Sequence, residues 1–106
     1  MSHAAVKAVY YPGLPNHPDH AIARKQMQAF GMVVSFELAT AAQASDFLGG
    51  LELVREATSF GGVHSSAERR ARWGGDKIAE GFIRFSVGCE DAADIIDDVA
   101  RSLAAL

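Results

Sequence analysis

EGFIRFSVGCED, Glu80 to Asp91, sets an arginine in the middle of an apolar run. Read with period two, Ile83, Phe85 and Val87 fall on one face and Phe82, Arg84 and Ser86 on the other. The apolar and aromatic residues favour a strand, and Gly81 and Gly88 punctuate its ends. A guanidinium keeps its charge at any ordinary pH, so a covered Arg84 needs an anion. From these residues alone, that anion is either a carboxylate of the chain, with Glu37 and Glu80 the candidates, or part of a ligand.

The rest of the chain bounds the answer. Its 106 residues suit one domain. With 49% apolar and 22% charged residues, it has the makings of a packed core rather than a disordered segment. A net charge of -3 argues against a general nucleic-acid binder, which needs a basic surface. No apolar stretch is long enough to span a bilayer, and the opening MSHAAVKAVYY lacks the pattern of a signal peptide. Cys89 is the single cysteine, so no internal disulfide forms, and the expected setting is a reducing cytoplasm.

Working outward from Arg84, the alternation predicts a first strand over Val6–Tyr11. The turn PGLPNHP follows, with Asn16 or His17 capping a helix that begins at Pro18 and runs to Phe30. Ile22, Ala23, Met27 and Phe30 would line its inner face. Gly31 ends that helix and GMVVSFEL reads as a strand. Thr40 caps AAQASDFL, which stops at Gly49-Gly50. A further strand is expected over Leu53–Thr58. Gly61 to Gly81 is a long connection, with a short helix over Ser66–Trp73. After the Arg84 strand, Glu90 and Asp91 open a terminal helix with Ile95, Ile96, Val99 and Leu103 inward. The expected fold is α/β (α+β), a small mixed or antiparallel sheet of about four strands packed by helices. Strand order is not readable.

Four stretches in order, YYPGLPNHPDHAIARKQM, GMVVSFEL, EATSFGGVHS and FIRFSVGCED, carry a resemblance. Over Val6 to Leu103 the chain resembles the C-terminal domain of the Cys/Met-metabolism enzymes that use pyridoxal phosphate. Cystathionine gamma-synthase, the cystathionine lyases and methionine gamma-lyase belong to that family. The resemblance implies the small-domain fold of aspartate-aminotransferase-like enzymes. It also implies a role in trans-sulfuration, acting on a sulfur amino-acid substrate. It says what to look for and not find. Lys7, Lys25 and Lys77 lack the Ser-x-Thr-Lys context of the Schiff-base lysine, and no glycine-rich phosphate cradle leads into a helix. The large cofactor-binding domain is then absent, and a single domain over 1–106 is expected to bind no cofactor and to be inactive alone. Its start falls within longer family chains, which favours a truncated piece. A stand-alone remnant that pairs with itself through exposed apolar surface is the alternative.

The resemblance also assigns residues. The arginine of the family's I-R-(L/F)-S strand binds the substrate α-carboxylate, and Arg84 matches it. The serine of A-x-S-(L/F)-G-G lies beside that carboxylate, and Ser59 matches it, with Thr58 a secondary neighbour. Several relatives place a glutamate after G-G-(V/Y), where it helps to select the distal end of the substrate. Here the position is His64, which changes the charge and can titrate near neutrality. A solvent-facing loop residue is the other reading of His64. SSAERRARWGGD replaces an H-P-A-S-M-T-H-like stretch, so lyase and synthase are not separable.

Other residue clusters read as structural. His17 and His20, flanking Asp19, lack a third metal ligand and suit a helix start. Cys89 beside Glu90 and Asp91 is disfavoured as a thiolate and reads as packing. Arg69, Arg70 and Arg72 with Trp73, flanked by Glu68 and Asp76, read as a solvated helix face. Asp91, Asp94, Asp97 and Asp98 read as the polar side of the last helix.

Overall fold

The structure is a computed structural model, which describes residues 3–73 and 77–106, without the Trp73 side chain. Five strands form one open mixed sheet in the order β1-β2-β5-β4-β3. They are β1 (Val6–Tyr10), β2 (Val33–Leu38), β3 (Arg55–Glu56), β4 (Ser66–Arg69) and β5 (Phe82–Ser86). β1, β2, β5 and β4 pair antiparallel in turn, and β3 adds to β4 in parallel. The helices are α1 (His20–Gln26), α2 (Ala41–Gly50) and α3 (Ala92–Ala104). The fold class is as expected, with one more strand.

The period-two reading of β5 holds. Ile83 and Phe85 are buried in the core with Phe36, Leu38, Phe47, Leu48, Ala67, Ile95 and Leu103. Phe36 and Phe47 meet edge to face with centroids 5.4 Å apart, locking β2 to α2. α2 starts where Thr40 predicts. Thr40 Oγ1 accepts from the Gln43 amide at 3.1 Å, and Gln43 Oε1 accepts from the Ala39 amide at 3.2 Å, a reciprocal cap. Gly81 could not be another residue. A Cβ there would stand 2.0 Å from the Leu38 carbonyl oxygen, where β2 and β5 close up.

Several local expectations fail for tertiary reasons. Ser66–Trp73 does not form a helix. Ser66–Arg69 pairs with β5, and only Arg70–Trp73 turns, as a 3-10 segment. The residues there have fair helix propensity, but Ala67 fills the core beside Phe85 and pairing decides. The strand expected over Leu53–Thr58 shrinks to Arg55–Glu56, because the chain leaves the sheet edge after two pairs. α1 is shorter than expected, with Asp19 rather than Asn16 or His17 at its N-cap and no side-chain cap bond. Of its proposed inner residues only Ala23 is buried, while Ile22 and Met27 are exposed. Ile96, expected inward on α3, is 64% exposed.

Asp98 departs furthest from the polar-side reading. Its residue is buried, and its carboxylate accepts from the amides of Glu52, Leu53 and Val54, each at 2.9 Å. Arg101 also bonds it. Three consecutive amides after α2 thus find their acceptor on α3. Burial is the largest influence on this carboxyl and works to raise its pKa. The amides of Glu52, Val54 and Leu53, with the charge of Arg101, together outweigh it and hold the pKa below the ordinary value.

A group whose pKa is depressed on folding stabilises the folded state above its unfolded value, about 3.9 for Asp. That contribution is lost as pH falls through the lower folded value. Asp98→Ala is expected to cost roughly 2–3 kcal/mol near pH 7, since the amides lose a charged acceptor. Urea titrations at pH 6 and pH 3 check this: the gap between wild type and Asp98→Asn should shrink in acid. An equal gap at both values would refute the assignment.

Candidate carboxylate-binding site

The sheet face opposite α2 and α3 is polar. In antiparallel pairs, residues directly opposite share a face. Arg84 stands opposite Ser35 on β2 and Glu68 on β4. β5 is flanked on both sides, so Arg84 projects from a held backbone.

The sequence-based ion-pair candidates for Arg84 are replaced. Glu80 pairs with Arg69 at 2.9 Å, and Glu37 accepts from the Tyr10 hydroxyl. That bond, then burial, then the Glu37 charge push the Tyr10 phenol above its ordinary pKa. The partner of Arg84 is Glu68, at 2.7 Å from Nη2 to Oε1. Glu68 is 1% exposed and also meets Arg70 Nη1 at 3.0 Å. Sequence reasoning missed Glu68 because it placed that residue on a helix. The signal was present in Ser66, Ala67, Glu68, where polar and apolar residues alternate as a strand.

The segment after β3 folds back over this face. The Thr58 carbonyl accepts from Arg84 Nη2. The Phe60 ring lies 4.8 Å from the guanidinium carbon, in cation–π range. The Ser66 hydroxyl donates to the Ser59 carbonyl at 2.9 Å, and the Gly61 amide donates to Ser86 Oγ at 2.9 Å. Gly61 has φ +80, which suits glycine. The loop closes where the Cys89 amide donates to the Val63 carbonyl at 2.8 Å. Gly88 permits this, because a Cβ there would meet that carbonyl oxygen at 2.4 Å.

Ser59 is exposed and sits between Thr58 and Phe60, both of which touch Arg84. Sequence reasoning put Arg84, Ser59 and Thr58 in one site, and the fold brings them together. His64 is exposed at the far end of the loop. Next to it, Glu90 accepts from the Ser65 amide at 2.8 Å and from the Ser65 hydroxyl at 2.7 Å. The amide bond, then the hydroxyl bond, hold the Glu90 carboxyl below its ordinary pKa, and the nearby His64 charge adds to this.

The remaining candidates resolve locally. His17 Nδ1 accepts from the Asp19 amide at 3.0 Å, and His20 Nδ1 lies 2.7 Å from the Pro12 carbonyl. Among the described residues, no three metal-ligating side chains converge. Cys89 is exposed, which removes its packing role. The arginines after Ser66 are not a solvated helix face. Arg69 pairs with Glu80, Arg70 with Glu68, and Arg72 with Glu56 at 3.7 Å. Asp76 lies outside the described residues.

Arg84 uses Nη2 for both Glu68 and Thr58. Among the described residues, Nε and Nη1 meet no partner, and neither is a buried atom lacking one. Neither is fully shut from solvent, and both keep an N–H that an anion could use. Pyridoxal phosphate does not fit these residues. Lys7, Lys25 and Lys77 are exposed and none touches Arg84, so nothing here offers a Schiff-base amine beside the site.

Comparison with known proteins agrees with this architecture. The chain is 55% identical over 98 residues to a Streptomyces coelicolor protein provisionally named cystathionine gamma-lyase, covering 92% of this chain and 25% of that one. It is 38% identical to the cystathionine gamma-lyase of Bacillus subtilis, covering 96% of this chain and 30% of that one. Among solved structures, metB from Corynebacterium glutamicum superposes with a TM-score of 0.92 at 35% identity, over 98% of this chain and 29% of that one. The chain thus spans about a quarter to a third of the length of the relatives it matches. The sequence pattern of one family, described as Cys/Met metabolism PLP-dependent enzyme, matches residues 1–104, and the chain belongs to that family.

Proposed function

We propose that this chain is the substrate-carboxylate-binding domain of a pyridoxal-phosphate-dependent lyase or synthase acting on sulfur amino acids such as cystathionine. It is not catalytic alone. Arg84 and Ser59 hold the α-carboxylate of the substrate. The observation that carries this reading is Arg84 itself, fixed at Nη2 on a central strand, with Nε and Nη1 not committed to any described partner. Fixing the carboxylate matters because it sets the orientation of the bonds at the substrate Cα before any is broken. The cofactor belongs to residues outside this chain.

His64 lies on the same loop as Ser59 and is assigned a part in selecting the distal end of the substrate. In the complete enzyme, His64→Glu should change the ratio of kcat/KM between cystathionine and methionine. An unchanged ratio returns His64 to a plain solvent-facing loop residue.

A second reading rests on a different surface. Val6, Val9, Val34, Val87, Ile96 and Val99 line a groove of about 500 Å³ between sheet and α3. With Ile96 exposed, this groove suits self-association of a stand-alone chain. Among the described residues, no helix is long and apolar enough to cross a membrane.

Two measurements separate the readings. In the complete enzyme, Arg84→Ala should raise KM by at least about tenfold while the bound-cofactor absorbance stays unchanged, since only a substrate contact is lost. Unaltered kinetics would end the carboxylate assignment. For the isolated chain, sedimentation equilibrium should show a concentration-dependent dimer if the groove self-associates, and a clean monomer at high concentration removes that reading.

A further inference from the structure

We propose that Glu90 is a positioning residue: by clasping Ser65 it fixes the direction from which His64 meets the distal end of the substrate. This rests on the carboxylate role of Arg84 and the selecting role of His64 given above. The loop from Thr58 to His64 is fastened at its two ends by different groups. At the near end, the Thr58 carbonyl accepts from Arg84, the Ser59 carbonyl from the Ser66 hydroxyl, and Ser86 Oγ from the Gly61 amide. Those anchors are side chains of β4 and β5, and none of these bonds involves His64. The far end is held by the connection between β5 and α3. The Ser65 amide donates to Glu90 Oε2 at 2.8 Å, and its hydroxyl donates to Oε1 at 2.7 Å. The same hydroxyl accepts from the Gly88 amide at 2.9 Å, and the Val63 carbonyl accepts from the Cys89 amide at 2.8 Å. His64 thus stands between two residues tied to one short stretch, with its own side chain exposed.

Among the far-end anchors only Glu90 carries a charge, and both of its oxygens are engaged by Ser65. Hydrogen bonds to an ionised acceptor are the strong ones. The Ser65 amide, then its hydroxyl, hold the Glu90 pKa below the ordinary carboxylate value, so the clasp stays closed near neutral pH. Ser65 is 0% exposed. Without Glu90 its amide and hydroxyl lose their acceptor while buried, and only opening of the far end to water restores one. The near end does not depend on this, because Arg84, Ser66 and Ser86 remain in place. The carboxylate end and the distal end of the site are therefore fastened separately, and Glu90 acts on the second alone.

The test uses the complete, cofactor-loaded enzyme with cystathionine and methionine as substrates. Alanine serves as a competing ligand, since it has the α-carboxylate and no long distal group. Glu90→Ala should shift the ratio of kcat/KM between the two substrates by about fivefold, with inhibition by alanine kept within about twofold. In a His64→Ala background, Glu90→Ala should add nothing further to the ratio, because the group it positions is gone. Glu90→Gln keeps one acceptor for the Ser65 amide and should shift the ratio less. A purely structural role would lower thermal stability and active fraction, scale both substrates alike, and add to His64→Ala. Either an unmoved ratio or full additivity overturns the proposal. If Glu90→Ala does not fold, Ser65→Ala, which removes only the hydroxyl bond, carries the same test. Arg84→Ala is the control. If it weakens alanine inhibition while the Glu90 and Ser65 variants leave the ratio unmoved, the clasp is overturned and the carboxylate reading stands. If Arg84→Ala leaves alanine inhibition unchanged, the carboxylate reading falls. If His64→Ala leaves the ratio unchanged, the selecting role and the clasp fall together.

Discussion

A carboxylate shut away from water costs several kcal/mol unless cations and hydrogen bonds surround it. Glu68 imposes that constraint on the polar face of this sheet. It meets Arg84 across the strand pair and Arg70 from the following turn. The segment from Thr58 to His64 is then drawn over the same face, with contacts to Arg84, Ser66 and Ser86. Leu or Met in place of Glu68 would leave the largely covered Arg84 without that carboxylate, held by the Thr58 carbonyl and the Phe60 ring.

A second carboxylate solves a different problem with the same chemistry. Asp98 gathers three successive backbone amides after α2, where the chain runs toward the sheet edge without forming regular structure. Glu90 does the same on a smaller scale with Ser65 at the end of the loop. Asp98 and Glu90 bind backbone amides and shape the chain. Glu68 binds side-chain cations and shapes the site. The distinction follows from what each oxygen touches, since all three are partly or wholly withdrawn from solvent.

Much of this was legible in the residues. The alternation in FIRFS put Ile83 and Phe85 on one face and Arg84 on the other, and the face of Ile83 and Phe85 is the one in the core. Thr40 was read as a cap and accepts the Gln43 amide, while Asp91, read with Glu90 only as an acid at the helix start, caps α3 by accepting the Ala93 amide. What failed was what depends on distant partners. Ser66–Arg69 is a strand because β5 is beside it, which no local propensity encodes. Asp98 looked like one more acid on a polar helix side, because the amides it serves lie far back in the chain. The partner of Arg84 was sought at Glu37 and Glu80 for lack of strand order. Once β4 is known to flank β5, Glu68 follows from register.

The order β1-β2-β5-β4-β3 carries a consequence for how the chain acquires its shape. β2 cannot find its inner neighbour until β5 exists, and Val33 must wait for Ser86. Such distant pairing makes folding slow relative to chains built from local contacts. During synthesis, the early half holds only the antiparallel β1–β2 pair and two helices, with the inner edge of β2 unpaired. That edge is a template for wrong partners until the last third of the chain emerges. Arg84 is therefore presented only as the central gap of the sheet closes.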